Sequence, residues 1–569
     1  MRMPAKIFTM IRTWTAVLIS LVMGVAGPSR GQSRQSDLLI LNAHVVTMNR
    51  HQPSAEAIAV QGGRIVWVGS NAEAQKLSAG ASRIVDVHGA TVLPGMIDAH
   101  THLLSLGQSL LKLNLKGVAT EREAIARVKQ KAAAAAANEW ILGWGWDEGE
   151  WASHYPNNAA LSAASPQNPV YLAGLHGFAA WANKRALDIA GITKETKDPE
   201  NGKILRDEKT GEPTGILLNR AQELVAKHIP PMTVAQAKKA LALGAEECVK
   251  NGLTSIHEAQ VTQLMLDAYR ELIREKRMPL RLYAMLDGAD NPLVEEWLKR
   301  GPEIDAQHQL TIRAFKLFAD GALGSRGAAL LEPYNDAPQT KGVVTTPEAA
   351  VYDLTRRSLQ RGFQVCTHAI GDAANRMVLD AYERALRESS EARDARLRIE
   401  HAQVLSPQDI PRFAKLGIIA SMQPVHCTSD MPWAEKRLGP ERIKGAYAWR
   451  SVLATGAHVP FSSDFPGETL NPFYGIYAAI TRQDPSGNPP GGWHPEQKVS
   501  LDDALRGYTV EAAYAEFAEK DKGTIENGKL ADFTVIDKDI TRVTPKEILS
   551  ITVLKTFVAG KAVYEARPQ

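Results

Sequence analysis

His100-Thr101-His102, Lys316, His368, His401 and Asp464 stand at, or close to, the ends of short apolar runs of the sequence. The runs are VLPGMIDA before His100, TIRAFKLF around Lys316, FQVCT before His368, RIE before His401 and VPFSS before Asp464. A further run, SIHE, carries His257 and Glu258. Imidazole nitrogens and carboxylate oxygens together suit a borderline divalent cation such as zinc. A His-x-His on an extended segment puts both rings on one side, about 7 Å apart along the strand, so one ion can be chelated by both. A lone histidine at a strand end is ordinarily a core or surface residue. His100, His102, His368 and His401 recurring there, with Asp464 at the last strand, point to a metal site. His426, His458 and the other scattered histidines read as ordinary. Lys316 cannot bind a cation as an ammonium. Reaction with carbon dioxide would turn it into a carbamate, a carboxylate on a long arm that can bridge two ions about 3.5–4 Å apart. The alternative is a strand-end lysine paired with Asp320 or another carboxylate, and the bridging role is the preferred one.

Residues at the C-terminal ends of parallel strands converge when the strands close into a (β/α)8 barrel. Between the two ends of the chain, strand-like runs alternate with helical spacing, the pattern of an α/β protein with a parallel sheet or barrel. The runs are VLPGMID, WILGWGW, VYLAGL, LTSIHE, LRLYAML, TIRAFKLF, FQVCTH, LRIEHA, GIIASMQ and HVPFSSD. WILGWGW and VYLAGL fall within a long Trp- and Pro-containing stretch, about 120–230, read as an inserted subdomain. The other eight then close a TIM-like catalytic barrel within 91–519. Residues 37–90 and 520–566 read as short β-branched strands, each block too small for its own core. Together they are expected to form one small β-sandwich built from both chain ends.

The chain has 569 residues, a net charge of +3 and 23% charged residues with both signs interspersed, which argues against nucleic acid or an anionic membrane as partner and leaves a small-molecule substrate. Arg2, Lys6 and Arg12 precede an apolar run and a small-residue stretch, the layout of a signal peptide over 1–31. The mature protein is therefore expected to be exported, periplasmic or extracellular, and free of the membrane after cleavage. Cys248, Cys366 and Cys427 are scattered and odd in number, so they make no disulfide framework.

PGMIDAHTHL, following a β-rich N-terminal block, resembles the amidohydrolase superfamily. FKLFADGALGSRGA, VCTHAIGDAAN, RIEHAQ and FSSDFP resemble its amidohydrolase 3 branch, the YtcJ-like proteins and N-substituted formamide deformylase. The resemblance implies that His100 and His102 bind a first metal and that His368 and His401 bind a second. It makes Lys316 a candidate carboxylated bridge and Asp464 both a metal ligand and the catalytic proton acceptor. One or two divalent ions, with zinc as the first choice, fit this pattern, and a homodimer is compatible with it.

The implied reaction is hydrolysis of a carbonyl C–N bond in an amide, N-acyl or N-formyl compound by metal-activated water. Lactone, ester or cyclic-amide opening is the alternative. A metal-binding regulatory protein without turnover is a second, and Asp464 counts against it, because a structural metal site needs no free proton acceptor. An isomerase or decarboxylase using the same mouth is a third. Trp146 in GWGWDEGEW, His176 in AGLHGFAAW, His257, Arg326 in GSRG and Gln403 in EHAQ are the candidate substrate contacts.

Overall fold

The computed structural model describes residues 36–567 except 79, 148–150, 152–154, 176–177 and 390–393; the expected leader, 1–31, and His176 lie outside the described residues. No described helix is long and apolar enough to cross a membrane.

The centre is a mixed α/β barrel of seven parallel strands: Met96–Thr101, Leu253–Val261, Arg281–Asp287, Leu310–Phe318, Gln364–Ala369, Arg398–His401 and Ile419–Ser421. Neighbours in sequence are neighbours in space, with pairs such as Asp287 with Lys316, Lys316 with Cys366 and His368 with Glu400. The gap between the first and last strands is bridged by residues 458–464. Ala420 donates to His458 O and Met422 to Pro460 O, both at 3.1 Å. Ala99 donates to Phe461 O at 3.3 Å and the Asp464 amide to His100 O at 3.0 Å. The eighth run therefore closes the barrel through single bridges instead of a regular ladder. Six of the seven residues of Arg281–Asp287 are buried, as expected where helices cover one face and a filled interior the other.

VLPGMID was read as one barrel strand from Val92, and the structure corrects this. Thr91–Pro94 pairs antiparallel with Phe533–Ile536, and only Met96–Thr101 enters the barrel. The break is at Gly95, where a Cβ would lie 2.2 Å from Thr254 Oγ1, so the chain passes the second barrel strand only without a side chain.

Thr91–Pro94 and Phe533–Ile536 belong to a six-stranded sheet with Lys561–Glu565, Val553–Val558, His44–Val46 and Ser54–Ala55. A four-stranded sheet of Leu38–Leu41, Ala57–Gln61, Arg64–Gly69 and Ile84–Asp86 shares a core with it, including Ile40, Val60, Val92, Phe533 and Phe557. Arg281 ties the barrel to this unit through a fork of hydrogen bonds to Asp532, 2.7 and 2.9 Å, both residues buried. WILGWGW and VYLAGL form neighbouring strands, Ile141–Trp146 and Val170–Gly174, in a separate six-stranded sheet. That sheet takes its edge strand from Leu113–Asn114, upstream of residue 120.

Candidate metal centre

His100 is the fifth residue of the first barrel strand, and His102 stands immediately before the helix Leu103–Leu111 that follows, without capping it through its side chain. Glu258 fixes this exit by accepting the Leu103 amide at 2.8 and 2.9 Å and the Thr101 hydroxyl at 2.9 Å. The helix lies tight against Val234–Lys250, whose Ala240 carbonyl would be 1.9 Å from a Cβ at Gly107. Close packing of the helix thus restricts where the histidines can sit.

The His100 ring centre lies 5.5 Å from that of His102 and 5.1 Å from that of His401, and His401 lies 4.5 Å from His368. Asp464 enters from the closing segment. Its Oδ1 is 3.3 Å from His102 Nε2 and 3.9 Å from His100 Nε2. One ligand atom each from His100, His401 and Asp464 lies within 4.8 Å of the others. His102 joins this group through Asp464. His368 stands beside His401 but turns its Nε2 toward Asp320 Oδ1, 3.3 Å away.

Two of these residues owe their aim to backbone in the left-handed region, His401 at φ 74° and Asp464 at φ 60°. Non-glycine residues there are uncommon, and such strain gathers at functional sites. Along a regular strand, consecutive side chains face opposite ways. Glu400 and His401 nevertheless serve one site: Glu400 faces the barrel interior, and the turn at His401 brings its ring to the mouth.

Burial pushes His100 down to about 4, against the pull of Glu400, and holds His401 well below the ordinary imidazole range. Both rings are neutral at pH 7. Burial alone would raise the Asp464 carboxyl, but the His102 hydrogen bond and the surrounding histidines hold it far below the usual range. His100 Nδ1 is engaged by Glu400 Oε2 at 2.6 Å and His401 Nδ1 by Gln423 Oε1 at 2.8 Å. Each ring therefore keeps Nε2 for another partner. Neutral imidazoles anchored at one nitrogen, beside an ionised carboxylate, are the donor set and outer support that a divalent cation takes. The residues fit a metal.

Lys316 is fully buried, with Nζ 3.2 Å from Leu317 O and 3.7 Å from the centre of the Phe318 ring. No carboxylate among the described residues comes within ion-pair distance of it, so the alternative role, an ion pair with Asp320 or another carboxylate, is not taken up. Asp320 instead accepts the amides of Ala329, Ile370 and Gly371 at 2.8–3.0 Å. Burial lowers the Lys316 amine to about 8, against the pull of Glu400 and Asp464.

The amidohydrolase family pattern matches residues 83–564. The chain belongs to the amidohydrolase family. It is 31% identical over 532 residues to putative amidohydrolase YtcJ of Bacillus subtilis, covering 92% of this chain and 98% of that one. It is 31% identical over 555 residues to N-substituted formamide deformylase of Arthrobacter pascens, covering 94% and 99%. An uncharacterized metal-dependent hydrolase from Pyrococcus furiosus superposes with a TM-score of 0.74 at 29% identity, covering 88% of this chain and 99% of that chain. These relatives place the protein in the YtcJ-like branch, as a metal-dependent hydrolase acting on C–N bonds.

Within this amidohydrolase the expected substrate contacts separate. Gln403 lies at the site: its Nε2 donates to Tyr447 Oη at 3.0 Å and to Asp430 at 3.2 Å, and it lines a small cavity with His401, Gln423 and His426. The other contacts described do not face this cavity. Trp146 is wholly buried against Trp151 and Trp181 in the core of the inserted sheet, its indole donating to Leu172 O. His257 is buried inside the barrel between Arg398 and Glu516. Arg326 is committed to Asp336 at 2.9 and 3.2 Å.

His426, read as ordinary, stacks on His401 at 5.8 Å and reaches Asp464 Oδ2 at 3.7 Å from the helix Pro424–Arg442. Its signal in the sequence was position alone: it follows GIIASMQP, the seventh strand and its exit. Glu400, Gln423 and Tyr447 were also missed, since each supports the site instead of standing at a strand end.

Proposed function

We propose that the protein hydrolyses the carbonyl C–N bond of a small N-acyl or N-formyl amide outside the cytoplasm, with Asp464 as the proton-transfer residue. The observation that carries this reading is an ionised Asp464 carboxylate among His100, His102 and His401 at the barrel mouth. His100, His102, His401 and Asp464 would hold a divalent ion, zinc being the first choice. His368 and a carboxylated Lys316 are the added ligands for a second. When bound, such an ion supplies hydroxide at neutral pH and polarises a carbonyl oxygen.

The chain's own residues do the rest. Asp464, ionised at rest, takes the proton of the attacking water at a carboxylate oxygen and returns it to the departing amine nitrogen. Proton transfer of this kind contributes roughly 10²–10⁴-fold. His426, beside Asp464, and Gln403, held by Tyr447 and Asp430, line the adjoining cavity and orient the acyl group. The amide class rests on the family and on the deformylase named among the relatives. Export rests on the N-terminal leader of the sequence.

The test uses the chain lacking residues 1–31, with bound metal measured per chain. The native protein and Asp464→Asn are run against N-substituted formamides, N-acyl amino acids and aryl amides. Metal in both, with turnover lost by at least about 100-fold only in Asp464→Asn, is the expected result. Metal-loaded native protein that turns over lactones but no amide would overturn the substrate class. Failure of the native protein to bind any divalent metal would overturn the site.

A further inference from the structure

Beneath the histidines lies a buried ion pair that the proposed reaction does not use. Glu400 and Arg398 are both fully shielded from solvent, with Arg398 Nε 2.8 Å from Glu400 Oε1. They share one strand face, two residues apart, which places both inside the barrel. Removing two charges from water is costly, and a buried pair is weak evidence for stability as such. Its neighbours suggest another use.

Arg398 is held rigidly. Its Nη2 donates to Ala99 O at 2.6 Å, to Ser421 Oγ at 3.1 Å and to Glu400 Oε2 at 3.1 Å, while Nη1 donates to His257 Nδ1 at 2.9 Å. The guanidinium thereby joins the first, second, sixth and seventh barrel strands under the mouth. Glu400 Oε2 also lies 2.6 Å from His100 Nδ1. With Arg398 donating to it, this oxygen acts as an acceptor, so the proton between it and the ring belongs to Nδ1. The His100 lone pair is then on Nε2, the nitrogen that faces Asp464.

We propose that Glu400, fixed by Arg398, is the positioning residue of the metal centre, holding His100 in the tautomer and ring orientation that present Nε2 to the ion. This rests on the metal-site reading above. A carboxylate behind a metal-binding imidazole fixes its orientation and strengthens the donor nitrogen, and loss of such a partner typically weakens metal binding 10–100-fold. Glu400 touches neither ion nor substrate in this role.

The experiment measures the metal dissociation constant by chelator competition, the melting temperature of the metal-free protein and the visible spectrum of the cobalt(II)-loaded protein. The variants are E400Q and the double variant R398M/E400L. E400Q leaves Arg398 without its carboxylate and can lose stability for that reason alone. R398M/E400L removes both charges together, so no buried charge is left unpaired, although Ala99 O, Ser421 Oγ and His257 Nδ1 lose a donor. The expected result is a double variant whose metal-free form still unfolds cooperatively, at a somewhat lower temperature, binds metal about 10–100-fold more weakly and shows altered cobalt bands. Native affinity and an unchanged cobalt spectrum in the double variant would overturn the proposal. So would a fall in affinity matched by an equal fall in melting temperature, with unaltered cobalt bands, which would mark the pair as purely structural. A native protein that binds no metal would instead remove the reading on which the proposal stands.

Discussion

Ser463 and Asp98 form the seam of the barrel: the Ser463 hydroxyl donates to Asp98 Oδ2 at 2.6 Å, and its amide lies 3.1 and 3.2 Å from the same carboxylate. Asp98 is on the first strand, and Ser463 precedes Asp464 in the closing segment. The contact between them therefore sets how far Asp464 stands from His100 and His102. With so few backbone bridges across this gap, the side-chain bond carries more of the closure than it would in a regular ladder.

Burial raises the Asp98 carboxyl to about 7, and Ser463→Ala is expected to cost about 1–3 kcal/mol, the penalty for leaving a buried polar partner without its hydrogen bond. Thermal unfolding followed by far-UV circular dichroism measures the loss. Bound metal per chain should fall with it, because Asp464 is no longer held in register. A melting temperature equal to native would show that backbone bridges alone close the barrel.

Lys316 is an amine lowered by burial to about 8, so about a tenth of it is unprotonated at pH 7 and able to react with carbon dioxide, far more than for an ordinary lysine. If it is carboxylated, metal uptake by the metal-free protein should be slower or less complete in carbon-dioxide-free buffer and recover with bicarbonate. Lys316→Met should bind less metal and show no bicarbonate response. Equal uptake by native protein with and without bicarbonate would leave Lys316 as a plain buried amine.

The strand-end histidines were legible because an apolar run ending repeatedly in His has no solvation explanation, and parallel strands bring their ends together. Less legible was whatever departs from the regular period. Glu400 should point away from the site if His401 points toward it, and only a left-handed φ at His401 breaks that rule. Val92 looks continuous with Met96 because both flanks of Pro94-Gly95 are apolar, while the side-chain-free Gly95 lets the chain pass Thr254 and its two halves enter different sheets. For Lys316 the sequence leaves an ion pair with nearby Asp320 open as the alternative to a metal bridge, but that carboxylate is consumed by backbone amides of the neighbouring loops.

Glu516 and Lys522 form a buried pair at 2.6 Å, faced also by His257, Arg281 and Asp532. Burial would raise the Glu516 carboxyl, yet Lys522 and His257 bring it down to about 2 from an ordinary 4.5. A carboxyl depressed by folding stabilises the protein above its unfolded value and loses that contribution as pH falls from about 4.5 toward 2. Glu516→Gln should remove this acid limb from the stability profile. At pH 7 it should cost about 3–5 kcal/mol by leaving Lys522 buried and unpaired. Burial lowers the Lys522 amine, so the deficit should shrink in alkaline buffer as that amine loses its proton. Unfolding midpoints across the pH range test both limbs, and parallel native and variant profiles would contradict the assignment.

Trp146 distinguishes a core residue from a substrate contact. Its ring is stacked on Trp151 at 5.7 Å and meets Trp181 edge-on at 6.4 Å, and its indole nitrogen donates to Leu172 O at 2.8 Å. Phenylalanine keeps an aromatic ring but loses that bond and part of the contact area, so Trp146→Phe should destabilise by about 1–3 kcal/mol. A residue enclosed by its own sheet has no surface to offer a ligand, so KM for any amide the native enzyme accepts should be unchanged within twofold. The two measurements separate cleanly: a lower melting temperature at constant KM fits the packing, whereas a raised KM at constant melting temperature would mean that the inserted sheet opens toward the mouth when substrate binds.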